Sequence, residues 1–258
     1  MTRVFLADDA IRDDLATVRG PDAHHLQTVL RLGPGDGFLV VDALGRERAA
    51  TITAAEPGRV LAMLGEPRRR PVEPMVGLTV YHGLPRAARY ETALRMGTEL
   101  GVTGFVPVLS ARSVVRLDDD DTARKCERWQ RIVTEAAKQC GRQRPPQVDP
   151  PVSWEGALVH LAQSGLPGVM PSAGLAGSDA PALGDCVAAL AGEVRARGGL
   201  ALFIGPESGF NLAEEASARD AGVTLVTMGP RILRTETAAV VAAAIALDRL
   251  AELGSARA

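Results

Sequence analysis

VTLVTMGPRILRTETAAVVAAAIALDRL, residues 223–250, sets three things side by side: a short apolar run, a glycine–proline turn with two arginines, and a long stretch of Ala, Val, Ile and Leu. The run reads as a strand and the stretch as a helix that is apolar on most of its circumference, so the helix must be buried among other elements. Strand, glycine turn and buried helix, in that order, are the repeating unit of a mostly parallel sheet covered by helices. Working back, the unit recurs as LALFI, GPESGF and NLAEEASARDAG over 200–222, and as PGVMPSAG at 167–174 before PALGDCVAALAGEVRARGG at 181–199. Earlier still come the strand GLTVYHGL at 77–84, the helix RAARYETALRMGTELG at 86–101 and the strand VTGFVPVLS at 102–110. A long helix over 121–141 is then stopped by Gly141 and Pro145–Pro146. An α/β domain over 74–258 is expected.

The first seventy residues have another rhythm. RVFLA, GFLVVDALG, RERAATITAAE and RVLAMLGE read as short strands broken by GP, PGD, LG and PG turn signals, with helical spacing only in DAHHLQTVLRLG at 22–33. A small, barrel-like β domain over 1–70 fits. EPRRRPVEP at 66–74 combines three arginines with three prolines and reads as the linker.

Composition narrows the function. A chain of 258 residues, 46% hydrophobic with a net charge of −2, carries no global positive field, so any polyanion site must come from local clustering. Cys126, Cys140 and Cys186 are far apart and form no CxxC pair, and the histidines lack ligand spacing, so neither a disulfide scaffold nor a metal is expected. No apolar segment has the length of a signal or a membrane span, and the expected compartment is the cytoplasm.

In α/β folds ligands lie beyond the carboxyl ends of the strands, where GPESGF and MGPRIL fall. There is no GxGxxG after an early strand and no GxxxxGK[ST], so the common nucleotide motifs are absent. Arg231, Arg234, Thr235 and Glu236 stand just before the buried helix. Thr235 or Thr237 could cap it, leaving first-turn N–H groups beside the arginines as an anion site; equally, Glu236 could pair with one arginine and tie the helix down.

VTMGPRILRTETAAVVAAAIA and IGPESGFNLAEE, with TELGVTGFVPVLSARSVV at 98–115, RWQRIVTEAAKQCGRQRPPQV at 128–148 and AHHLQTVLRLGPGD at 23–36, resemble the bacterial 16S ribosomal RNA (uracil-N3) methyltransferases of the SPOUT superfamily. The resemblance spans nearly the whole chain in family order. It implies a PUA-like N-terminal RNA-binding domain, a C-terminal domain with a deep trefoil knot, a homodimer, S-adenosylmethionine as cofactor and 16S rRNA in the small ribosomal subunit as partner. Carried over residue by residue, the cofactor loops are Ile204, Gly205, Pro206, Glu207 and Gly209, then Met228, Gly229, Ile232, Leu233 and Thr235. Two departures stand out: Ser208 replaces the family's usual glycine, and GVMPSAGLAG at 168–177 lacks the usual leucine-rich run.

The long helix adds an independent RNA argument. Arg124, Arg128, Arg131, Glu135, Lys138 and Arg142 follow spacings of four and three, and with Lys125 and Arg144 they concentrate positive charge suited to phosphate contacts. The plain alternative is a solvated helix face. Arg3, Arg31, Arg68, Arg69, Arg70 and Arg112 are further candidates for RNA or dimer contacts. For the reaction, Arg231 or Arg234 is expected to orient the base or stabilise its anion, and Glu207 or Glu236 to accept the N3 proton or serve as loop partners. The rival readings are a non-catalytic RNA-binding ribosome-assembly factor and an α/β enzyme that uses another nucleotide.

Overall fold

The fold is described from a computed structural model that covers residues 2–68, 72–113 and 119–253. Two compact units are present: Met1–Glu73 with Ala137–Arg144, and Pro74–Ala136 with Pro145–Ala258.

The N-terminal unit holds a six-stranded sheet built from β1 (Arg3–Phe5), β2 (Ile11–Arg12), β3 (Leu15–Arg19), β4 (Gly37–Val41), β5 (Glu47–Glu56) and β6 (Arg59–Arg68). Its order is β1-β4-β5-β6-β3-β2, antiparallel except for β1 against β4. The pair β2 and β3 was not legible as strands, because LATVR is short and starts on an exposed Leu15. The linker expectation fails at its start: β6 runs on through Pro67 and Arg68, which pair with Arg48 and Glu47. Arg69 and Arg70 lie outside the described residues. Over 20–29 the helical spacing becomes α1 (Gly20–His24) and one π-helical turn (His25–Val29), which bury Ala23 and Leu26 against Phe38, Ile52 and Val60.

The C-terminal unit is a parallel sheet between two helical layers. Its elements are β7 (Gly77–Gly83), α2 (Ala87–Leu100), β8 (Gly104–Leu109), α3 (Asp119–Cys140), β9 (Gln147–Val148), β10 (Val152–Ser153), α4 (Trp154–Ser164), β11 (Gly168–Pro171), α5 (Leu183–Arg197), β12 (Gly199–Ile204), α6 (Leu212–Asp220), β13 (Val223–Val226) and α7 (Thr235–Arg249). The last turn of α3 is grouped with the N-terminal unit. The sheet order is β10-β8-β7-β12-β11-β13, with β9 beside β8.

Alternation along each strand assigns the two faces. Leu78 and Val80 of β7 and Leu200, Leu202 and Ile204 of β12 face α2, α5 and α7, where Leu94, Val187, Ala242 and Ala246 meet them. Tyr81, Ala201 and Phe203 face α4 and α6, against Trp154, Leu161 and Ala218. Strands buried on both faces must be apolar throughout, as GLALFI is. β12 lies at the centre, so the loop that follows it opens over the middle of the sheet.

Candidate functional site

Three segments at the carboxyl ends of neighbouring strands line one cavity of about 420 Å³: 171–176 after β11, 204–210 after β12 and 228–235 after β13. That volume is ordinary for a small-molecule or cofactor site. Ile204, Phe210, Met228, Ile232, Leu233 and Ala238 supply apolar walls, and Arg112, Glu207, Glu215 and Arg231 supply charge. All ten expected cofactor-loop residues lie on this cavity: Ile204, Gly205, Pro206, Glu207, Gly209, Met228, Gly229, Ile232, Leu233 and Thr235. Among the described residues no group of three or more His, Cys, Asp or Glu is arranged to hold a metal ion.

The β12 loop is closed by close packing. A Cβ on Gly205 would lie 3.0 Å from Gly209 Cα, and one on Gly83 would lie 2.4 Å from Pro206 Cδ. Gly209, at φ 67°, holds the turn by donating its N–H to the Pro206 carbonyl. Ser208 lies outside the left-handed region, so its replacement of glycine carries no backbone strain. Instead it trades bonds with Arg112, whose Nη1 donates to the Ser208 carbonyl at 3.0 Å while Ser208 Oγ donates to the Arg112 carbonyl at 3.3 Å.

At the start of α7 the structure departs from the capping expectation. Arg234 is the N-cap residue, with no side-chain bond, and Thr235 already lies inside the helix. The Thr235 hydroxyl turns towards the sheet, 2.6 Å from the Gly205 carbonyl and 2.7 Å from His82 Nε2. A carbonyl only accepts, so the single hydroxyl proton goes to Gly205, and His82 must donate Nε2–H to Thr235. One tautomer follows, with a bare Nδ1 that has no hydrogen-bond partner. Complete burial drives the His82 pKa down to about 3, which keeps the imidazole neutral. The sequence had offered His82 only as a non-ligand.

Glu207 and Glu236 meet on a residue that the sequence did not single out. Glu207 Oε1 accepts the Arg86 N–H at 3.1 Å and pairs with Arg89 Nη1 at 3.2 Å, while Glu236 Oε2 stands 3.9 Å from Arg89 Nε. Arg231 and Arg234 are exposed. Ser172 and Glu215, which line the cavity and are joined by a hydrogen bond from Ser172 Oγ to Glu215 Oε1 at 2.6 Å, were not singled out by the sequence either, because no local spacing connects positions 43 residues apart.

The basic positions separate into two groups. Arg31, Arg112, Arg124, Arg128, Arg131 and Arg144 are exposed, although Arg128 forks onto Glu91 and the Arg124 head group bonds Asp121. The Arg128 hydrogen bonds hold the Glu91 carboxyl below its usual range. Arg3, Lys138 and Arg142 are bound inward. Arg3 pairs with Glu47 at 2.6 Å and Lys138 with Asp22 at 2.7 Å, while Arg142 is 5% exposed and pairs with Glu73 at 2.7 Å. The exposed basic stripe therefore ends at Arg131: Lys138 is drawn to Asp22, and past the end of α3 at Cys140 the chain turns Arg142 onto Glu73.

A parallel α/β domain with a strand-end cavity, joined to a six-stranded β unit, defines a ligand-binding enzyme domain with an accessory module. The model of the RNA methyltransferase domain matches residues 72–247, and that of the RNA methyltransferase PUA domain matches residues 18–62. The ribosomal RNA small subunit methyltransferase E of Mycobacterium bovis is 34% identical over 232 residues, 88% of this chain and 84% of the relative. Its counterpart in Bacillus subtilis is 31% identical over 225 residues, 86% and 85% of the two chains. The crystal structure of the Neisseria gonorrhoeae ribosomal RNA small subunit methyltransferase E bound to S-adenosyl methionine superposes with a TM-score of 0.79 at 30% identity, covering 96% of this chain and 97% of that one. The chain belongs to the family of ribosomal RNA small subunit methyltransferase E.

Proposed function

We infer that this protein transfers the methyl group of S-adenosylmethionine to N3 of a uridine in the 16S rRNA of the small ribosomal subunit. The observation that carries this reading is the cavity lined by 204–210 and 228–235 in a chain of this family. The residues present fit the cofactor: apolar walls for a base, glycine loops that expose backbone groups, and carboxylate oxygens that accept hydrogen bonds. Bound there, S-adenosylmethionine supplies an electrophilic methyl on a sulfonium.

The chain's own work is placement. Ile204, Met228 and Leu233 enclose the ligand, and the Thr235 hydroxyl keeps the Gly205 carbonyl turned into the protein. Exposed Arg231 lines the cavity and exposed Arg234 stands in the same loop between Leu233 and Thr235; their fixed positive charge orients the uracil and stabilises the anion left when N3 loses its proton. Glu207 and Glu236 share Arg89, which favours loop positioning over proton acceptance for both. Exposed Arg31, Arg112, Arg124, Arg128, Arg131 and Arg144 contact phosphates. The same reading includes a cytoplasmic homodimer, a trefoil knot in the 74–258 domain and RNA binding by the 1–70 domain.

Labelled S-adenosylmethionine is incubated with unmethylated small ribosomal particles, and the modified base is mapped. Incorporation at a uridine N3, lost in Arg234→Ala with the fold retained, is the expected result. Tight RNA binding without cofactor binding or transfer would instead establish the assembly-factor alternative.

A further inference from the structure

Two adjacent carboxylates at the start of α6 have different tasks. Glu214 is consumed by the fold: its Oε2 accepts the Asn211 N–H at 2.8 Å in a capping box, and its Oε1 accepts the Ala111 N–H at 2.7 Å. Glu215 lines the cavity and has no such duty. Its Oε1 accepts the Ser172 hydroxyl at 2.6 Å, and among the described residues no cation pairs with it.

Ser172 is itself fixed. It is 8% exposed, its N–H donates to the Val226 carbonyl, and its Oγ accepts the Gly174 N–H at 3.1 Å while donating to Glu215. The hydroxyl therefore holds a carboxylate at the cavity wall with Oε2 left to accept from a ligand. Arg112, bound to Ser208, and Arg231 bring positive charge to the cavity through other segments. A carboxylate beyond a strand end is well suited to ribose hydroxyls.

We propose that Glu215, set by Ser172, is a cofactor-binding residue that accepts a hydrogen bond from a ribose hydroxyl of the nucleoside. This rests on S-adenosylmethionine as the occupant. It assigns a role within 168–177, the segment where the sequence departs from the family.

Calorimetric titration of the purified full chain with S-adenosylhomocysteine, its 2′-deoxy and 3′-deoxy analogues and 5′-methylthioadenosine tests it. Wild type should bind at least one deoxy analogue about ten- to a hundredfold more weakly than the parent, the range expected for losing a hydrogen bond to a charged group. Glu215→Ala should lose a similar factor for S-adenosylhomocysteine and 5′-methylthioadenosine and should no longer distinguish the deoxy analogue. Ser172→Ala should fall between the two. Unchanged affinity in Glu215→Ala, or equal losses for parent and deoxy analogues, overturns the assignment. So does a loss confined to S-adenosylhomocysteine, since 5′-methylthioadenosine lacks the amino-acid end. If Glu215→Ala does not fold, the wild-type analogue series decides alone. Wild type that binds none of the four overturns the cofactor reading and this one with it, whereas binding that is insensitive to Glu215 overturns this one only.

Discussion

Acidification from about pH 7 to about pH 4.5 should destabilise the C-terminal unit by roughly 2–3 kcal/mol through His82 alone. The folded pKa of about 3 lies below the ordinary 6.5, so the unfolded chain takes up a proton that the native one refuses. Stability from this group is therefore present above 6.5 and declines as pH falls towards 3. At about pH 4.5 the difference amounts to about two pH units at about 1.36 kcal/mol each, and little of it is already lost at pH 7, which leaves roughly 2–3 kcal/mol. Both tryptophans, Trp129 and Trp154, are buried in the C-terminal unit, so urea unfolding followed by tryptophan fluorescence reports on that unit. Every other ionisable group is common to both proteins and cancels in a comparison with His82→Gln, whose amide can still donate to Thr235. Wild type should lose roughly 2–3 kcal/mol more than His82→Gln over this range. Parallel pH profiles would refute the neutral, donor-only state assigned to His82.

Gly83→Ala would place a Cβ 2.4 Å from Pro206 Cδ and 2.8 Å from Pro206 N, so the β12 loop must move. Overpacking of this kind costs about 1–3 kcal/mol, to be read as a lower melting temperature together with weaker S-adenosylhomocysteine binding. Arg89→Ala removes the cation shared by Glu207 and Glu236; with Arg89 34% exposed, the expected loss of S-adenosylhomocysteine affinity is at most about fivefold, partly restored by Arg89→Lys. Ser208→Gly should change stability by less than about 0.5 kcal/mol and leave that affinity within about twofold, because the Ser208 backbone is unstrained and its hydroxyl bond to Arg112 is long at 3.3 Å. A large loss in titration calorimetry would make the serine hydroxyl part of the site.

The parallel layers were legible because burial on both faces leaves a compositional trace that a single segment displays: GLALFI can hardly be anything but a central strand, and the α7 stretch cannot face water. The glycine loops were legible for a related reason, since tight turns at strand ends restrict residue choice locally. What could not be read is pairing across distance. Glu73 takes Arg142 across 69 residues and Glu215 takes Ser172 across 43, and nothing in the spacing of either partner announces the other. The same blindness produced the error at Thr235, where a hydroxyl before an apolar helix has a local use as a cap. His82 and the Gly205 carbonyl, 153 and 30 residues away, offer it two bonds, the first buried and the second part-buried. Those bonds win because an orphaned imidazole N–H in the core would alone cost about 1–3 kcal/mol, against the about 1 kcal/mol that an exposed cap typically returns. Thr235, misread from the sequence, thus joins β7, the β12 loop and α7, and a site assembled from three strand ends depends on such joints more than on any one loop.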